Sequence, residues 1–306
     1  MTDSIREKIN KLKKERNAVI LSHNYEIGEV QDIADYVGDS LGLSIAAAKT
    51  TAKIIIFCGV HFMAETAKIL SPDKMVLMPD DNAGCPMADM ITADQLKNMK
   101  AEHPNTAVVC YVNSSAEVKA QSDICCTSAN ALNVVNSIIN TNEIIFVPDK
   151  YLGINTAAHA PDKKFFFWEG FCPTHMKILP ENIIKLKKEH PDAKVIVHPE
   201  CRPEVTAIAD EVLSTEGMII FSKKTEAKEI IVGTEIGMLH RLRKENPGKT
   251  FYPASDLAVC PNMKLTTLEK ILWSLEDLKY EIKVPKDVAD HARQAIQKMI
   301  EIGRQD

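Results

Sequence analysis

Three cysteines of the 306-residue chain share one local setting. Gly84-Cys85-Pro86, Phe171-Cys172-Pro173 and Val259-Cys260-Pro261 place them 87 and 88 residues apart. Thiolates are soft ligands, suited to zinc or to iron–sulfur clusters. Structural zinc takes four ligands, often in closely spaced pairs, and this chain has no CxxC pair. Three isolated thiolates suit a [4Fe–4S] cubane that keeps one iron free of protein ligands. Such an iron can act as a Lewis acid toward substrate oxygen or nitrogen. Cys85, Cys172 and Cys260 are therefore read as metal ligands. Cys58, Cys110, Cys125 and Cys126 read as small buried hydrophobes, and Cys201, without a counterpart elsewhere, is not read as a ligand.

Other polar residues keep the same step. His23, Tyr111 and His198 lie 88 and 87 residues apart, as do Tyr25, Asn113 and Glu200, and as do Ser40, Ser128 and Thr215. The first two sets follow β-branched runs, so they sit at strand ends. His, Tyr and Glu are proton-transfer groups, and His198-Pro199-Glu200 sets two titratable groups around a proline. The hydroxyl set falls in polar turns leading into helices, where a hydroxyl and free N–H groups make an anion site; N-capping is the plainer use. Together they suit a substrate with several carboxylates or a phosphate. His175, three residues after Cys172, is a candidate donor to cluster or substrate. His61, Glu65, His159 and His240 lack counterparts and read as ordinary helix or loop residues. No GxGxxG or Walker sequence points to a nucleotide.

A threefold duplication must position these residues. Lys11–Arg16 reappears as Lys185–His190, and Glu102-His103-Pro104 as Glu189-His190-Pro191. Each unit reads strand, polar turn, helix, strand, helix, strand, cysteine loop, helix. The expected second strands are Ile54–Phe57, Ile144–Val147 and Met218–Phe221, and the third strands Met75–Met78, Lys164–Trp168 and Thr250–Tyr252. Capping boxes are expected at Thr92–Gln95 and Thr266–Glu269. The fold class expected is α/β: three homologous αβα sandwich domains with short parallel sheets, pseudo-threefold about a central site. The expected boundaries are 1–103, 104–190 and 191–306. Ligands sit beyond the carboxyl ends of such strands, where the polar sets fall.

Composition fits a soluble enzyme. The chain is 45% hydrophobic and 26% charged, with net charge −5 and pI about 6.0. That argues against nucleic acid or an anionic membrane as partner. Met1–Asn17 is charge-rich, unlike a signal peptide, and the longest apolar stretches are strand-sized. A cytoplasmic location is expected, and there the eight cysteines would not form disulfides.

His23-Asn24-Tyr25, Gly38-Asp39-Ser40, Gly84–Ala88, Tyr111-Val112-Asn113, Gly170–His175, His198–Cys201 and the Cys260 loop closely resemble the quinolinate synthase family. The resemblance runs over nearly the whole chain. It implies a [4Fe–4S] cluster on Cys85, Cys172 and Cys260, and an oxygen-sensitive transferase of de novo NAD biosynthesis. The reaction implied is condensation of iminosuccinate with dihydroxyacetone phosphate to quinolinate, phosphate and water. By position, His23, Ser40, Tyr111, Asn113, Ser128, His198, Glu200 and Thr215 would bind substrate. Glu200, Tyr25 and His198 would be catalytic. The resemblance also implies hand-over of iminosuccinate from an aspartate-oxidising enzyme. Some members carry extra cysteines near the third ligand; Cys260-Pro261-Asn262-Met263 has none, so no redox switch is expected there. The alternatives are another [4Fe–4S] hydro-lyase acting on a small dicarboxylate, or a non-enzymatic iron–sulfur sensor. A sensor would need no acid/base set, and one that reads DNA needs a basic element that is absent.

Overall fold

A computed structural model describes residues 2–304. Twelve strands form three sheets. The first holds β1 (Ala18–His23), β2 (Tyr36–Gly38), β3 (Ile54–Cys58) and β4 (Met75–Leu77). The second holds β5 (Ala107–Tyr111), β6 (Ile124–Cys126), β7 (Glu143–Val147) and β8 (Lys164–Phe167). The third holds β9 (Lys194–Val197), β10 (Glu211–Val212), β11 (Glu229–Gly233) and β12 (Thr250–Pro253). All pairings are parallel, and the spatial order is the same three times: β2-β1-β3-β4, β6-β5-β7-β8 and β10-β9-β11-β12. The protein is thus an α/β chain of three αβα sandwiches.

The strands are apolar without alternation because both sheet faces are covered. Side chains still point alternately to the two faces. In the first sheet Val19, Leu21, Ile55 and Phe57 enter one core cluster, while Ile20, Ile54, Ile56 and Leu77 enter another. In the third, Val195, Val197 and Ile231 face one cluster and Ile196, Ile230 and Val232 the other.

Three expectations need correction. The edge strands β2, β6 and β10, of two or three residues, fall below the length at which an apolar run is readable, so each sheet has four strands where three were expected. Met218–Phe221 lies in the helix Thr215–Lys224, and the strand of that place is β11. Ser214 starts that helix by accepting the Gly217 N–H at 3.1 Å, and Met218, Ile219 and Ser222 are buried along it. A short apolar run is ambiguous between helix and strand. The Thr92–Gln95 capping box is present in both directions. The second cap sits one residue later than expected: Thr267 accepts the Lys270 N–H, while the Thr266 hydroxyl bonds buried Glu26.

The two C-terminal helices bind the units together. Leu268–Asp277 packs against the N-terminal helix Thr2–Glu15, with Leu268, Ile271 and Leu275 beside Ile9 and Ile20. Lys286–Ile302 lies against β6 and the helix Ala116–Ala120, burying Ala292, Ala295, Ile296 and Met299. Asn130 Nδ2 bonds the Met299 carbonyl at 3.1 Å and Arg293 Nε the Ile69 carbonyl at 2.8 Å. Among the described residues no helix is long and apolar enough to cross a membrane. Ile296 is fully buried at this seam. Ile296→Ala should lower stability by about 2–5 kcal/mol, read as the shift in urea midpoint of the metal-free protein.

Candidate active site

One cavity collects the carboxyl ends of the three sheets. His23 ends β1, Tyr111 ends β5 and His198 follows β9. With Tyr25, Asn113, Glu200, Ser40, Ser128 and Thr215, and with Cys85, Cys172 and Cys260, they line it together. The hydroxyl residues are not the helix caps. Asp39 caps the helix Ser40–Lys49 through the Gly42 N–H (2.7 Å), and Ser214 caps Thr215–Lys224. Asn130 occupies the N-cap position of Ala131–Ser137. Ser40 and Thr215 therefore stand at the first helical residue, beside N–H groups that have no partner within the helix.

The hydrogen bonds fix which cavity groups donate. The N–H of Tyr25 reaches His23 Nδ1 at 3.2 Å, and the N–H of Glu200 reaches His198 Nδ1 at 3.3 Å, the same turn at equivalent strand ends. Burial pushes both imidazoles down to about 3. Lys264 adds to this at His23, and the nearby His175 and His23 rings add at His198, while Glu200 opposes in both cases. Each is neutral at pH 7, with Nδ1 accepting and the proton on Nε2. His198 Nε2 then donates to Ser128 Oγ at 3.1 Å, and the Ser128 hydrogen remains to donate elsewhere. Thr215 Oγ1 accepts from Asn24 Nδ2 at 2.9 Å. The Asn24 amide is oriented by Arg241, which donates to its Oδ1 at 3.0 Å and is clamped by Glu216 at 2.7 and 2.9 Å. Thr215 too keeps its own hydrogen.

Glu200 and Tyr25 are held in opposite states. Burial would raise the Glu200 carboxyl, but the facing imidazoles of His175 and His198 and the Tyr111 hydroxyl outweigh it and bring it to about 2. His175 Nδ1 stands 2.7 Å from Glu200 Oε2, off the line of a well-formed hydrogen bond. Burial, and then the Glu200 charge, push the Tyr25 phenol well above its ordinary range. Tyr25 Oη lies 2.6 Å from Thr234 Oγ1, which lies 3.0 Å from His175 Nε2. A continuous polar path so joins Tyr25 to Glu200.

Each candidate ligand opens a short turn. The Cys85 sulfur faces the N–H groups of Ala88 and Met87, Cys172 that of His175, and Cys260 those of Met263 and Asn262. The following proline fits the first position, where an N–H would have no turn partner. Burial pushes all three thiols up, Cys85 to about 12. Further lifts come from Cys260 and Glu200 on Cys85, from Glu200 and Cys85 on Cys172, and from Glu235 on Cys260. Donor atoms of Cys172, His175 and Glu200 lie within 4.8 Å of one another, a group able to hold a metal ion.

His61, Glu65, His159 and His240 lie off the cavity lining. Glu65 accepts the Ala116 N–H (3.1 Å), His159 contacts the Asn155 carbonyl (2.9 Å) and His240 pairs with Asp32 (3.0 Å). Cys58, Cys110, Cys125 and Cys126 are fully buried, and Cys201 is buried with its sulfur toward the Gly233 carbonyl. Sequence reasoning missed Thr234 and Glu235. They follow β11, the strand it had placed at Met218–Phe221, and the repeat step of about 87 residues from β7 was the signal that could have found them.

Residues 7–301 match the family model described as NadA, quinolinate synthetase A protein. The chain is similar to the quinolinate synthase of Dehalococcoides mccartyi strain CBDB1, 58% identical over 298 residues, 97% of this chain and 98% of the relative. It is 56% identical to that of Geotalea uraniireducens over 302 residues, 99% of each. It is 54% identical to that of Methanosarcina barkeri over 296 residues, 97% of each.

The titrations make the fold acid-labile. His23 and His198 bind protons near pH 6.5 when unfolded but near 3 when folded, so the unfolded state gains protons first as pH falls. Stability should drop between about pH 6.5 and 3, each histidine contributing about 1.4 kcal/mol per pH unit. Glu200, ionised down to about 2 in the fold, adds a loss below about pH 4.5. Urea midpoints of the metal-free protein from pH 7.5 to 4.5 should show this slope, and His23→Gln should flatten it.

Proposed function

The chain belongs to the quinolinate synthetase A family, and from that premise we propose that it condenses iminosuccinate with dihydroxyacetone phosphate to quinolinate, phosphate and water. The observation that carries this reading is one cavity in which Cys85, Cys172 and Cys260 face His23, His198, Glu200 and Tyr25.

The donor set fits an iron–sulfur cluster. Cys85, Cys172 and Cys260 are soft, their sulfurs face backbone N–H groups, and burial and neighbouring negative charge keep the bare thiols protonated. Such thiols ionise on binding a metal centre. When bound, a [4Fe–4S] cluster supplies a Lewis-acidic iron free of protein ligands.

The protein's own groups do the rest. His23 Nε2–H, Ser128 Oγ–H and Thr215 Oγ–H are poised to donate to substrate carboxylates or phosphate, with Ser40, Tyr111 and Asn113 on the same lining. The helix starts at Ser40 and Thr215 add partial positive charge. Glu200, held as carboxylate, accepts a proton. Tyr25, held as phenol, gives one to a leaving oxygen. Thr234 and His175 stand between the two groups and return the proton from Glu200 to Tyr25 once His175 Nδ1, 2.7 Å from Glu200 Oε2, turns into line with it, resetting both groups. His198 acts through Ser128. An aspartate-oxidising enzyme would supply the imine, in the cytoplasm, within NAD biosynthesis.

A second reading rests on Cys172, His175 and Glu200 holding one metal ion. Anaerobic purification with iron and sulfide analysis separates the two. About four irons and four sulfides per chain support the cluster, while one metal without sulfide selects the second reading. Quinolinate formed from the two substrates supports the activity; a full cluster without product points to another hydro-lyase or a sensor.

Cys85→Ala, Cys172→Ala and Cys260→Ala should each abolish cluster uptake, whereas Cys126→Ala should load normally, measured by iron content and visible absorption. Glu200→Gln should keep the cluster and lower kcat about 10²–10⁴-fold. Thr234→Val should lower kcat by about 10²-fold with KM little changed, and Thr234→Ser should restore most of it.

A further inference from the structure

Glu235 is 1% exposed and stands two residues past the end of β11. Its Oε1 accepts the N–H of Cys260 at 3.0 Å, and its Oε2 accepts the N–H of Gly237 at 2.7 Å. Lys264 Nζ pairs with the same carboxylate at 3.0 Å and goes on to the Tyr25 carbonyl. The fit is tight: a Cβ at Gly237 would meet the Tyr25 carbonyl oxygen at 2.5 Å. One carboxylate thus ties the third cysteine loop to the turn that carries Tyr25.

The same place in the second sheet, two residues past β7, is Asp149, fully buried. Its Oδ1 accepts the Leu152 N–H at 2.8 Å, and the N–H groups of Tyr151 and Cys172 face the carboxyl more loosely, without a well-formed bond to Oδ2. In the first sheet the place is taken by Val60. The duplication has therefore put an acidic residue behind Cys260 and behind Cys172, and an apolar one on the Cys85 side.

We propose that Glu235 is a positioning residue that holds the Cys260 loop in ligand geometry by accepting the cysteine's own backbone N–H group. The proposal rests on the cluster reading above. The Glu235 carboxylate is not a ligand in that reading; it fixes the loop before metal arrives, which lowers the ordering entropy left for binding. Both Glu235 oxygens face N–H donors, so an amide of the same shape would set one NH2 against an N–H.

Glu235→Gln is the direct test. Parent and variant are reconstituted anaerobically with ferrous iron and sulfide, then challenged with EDTA while iron per chain and cluster absorption are followed. Circular dichroism and the thermal midpoint of the metal-free forms show whether the variant folds. The expected result is a folded variant that loses iron about 10–100-fold faster than the parent. Glu235→Asp keeps the charge opposite Lys264 but is one methylene short; it should lose iron faster too, and it decides the matter should the glutamine variant not fold. A folded variant that keeps iron as long as the parent overturns the proposal and leaves the cluster reading standing. A parent that takes up no iron removes the cluster reading, and this inference with it.

Discussion

A strand buried on both faces can present a polar side chain only where it ends. Every middle position of β3, Ile54 to Cys58, is buried in apolar surroundings, and an unpaired polar group there would cost several kcal/mol. The chemistry of this protein is thereby confined to the carboxyl ends of twelve short strands. Three sheets with one strand order, their ends on one cavity, give three equivalent rims around it. What differs between rims is residue type. One rim offers His23, the next Tyr111, the third His198, so a duplicated frame carries an unduplicated set of donors and acceptors.

That confinement also governs protonation. Burial keeps His23 and His198 neutral, yet Glu200 stays ionised beside His175, His198 and Tyr111. A carboxylate and a phenol held in opposite states along one line of polar contacts form an acid and a base already assigned before substrate binds. The orientation of the cavity's donors depends in turn on groups set back from its lining. Asn24 turns Thr215, Arg241 turns Asn24, and Glu216 holds Arg241.

Much of this was legible in the sequence because duplication acts as an internal alignment. Residues that kept the step of 87 or 88 could be read as equivalent, and they converge on the lining. Legibility failed where the step slipped or the element was short. Met218–Phe221 is as apolar as a strand, but Ser214 caps a helix there. Mistaking it hid β11, and with it Thr234 and Glu235. The edge strands carry too few residues to show a pattern. The capping reading of Ser40 and Thr215 failed by one residue, since Asp39 and Ser214 take the cap and leave the hydroxyls to the cavity.

The last helix bears on how the chain is born. Lys286–Ile302 covers the face of β6 and the helix Ala116–Ala120, some 170 residues earlier in the chain, as the Asn130–Met299 bond marks. A ribosome makes Lys286–Ile302 after the elements it covers, so the second unit must wait, with that apolar face open, until this helix has emerged. The units therefore cannot mature one after another as independent beads. Their joint closure awaits that helix, and contacts of such long separation make it a slow one.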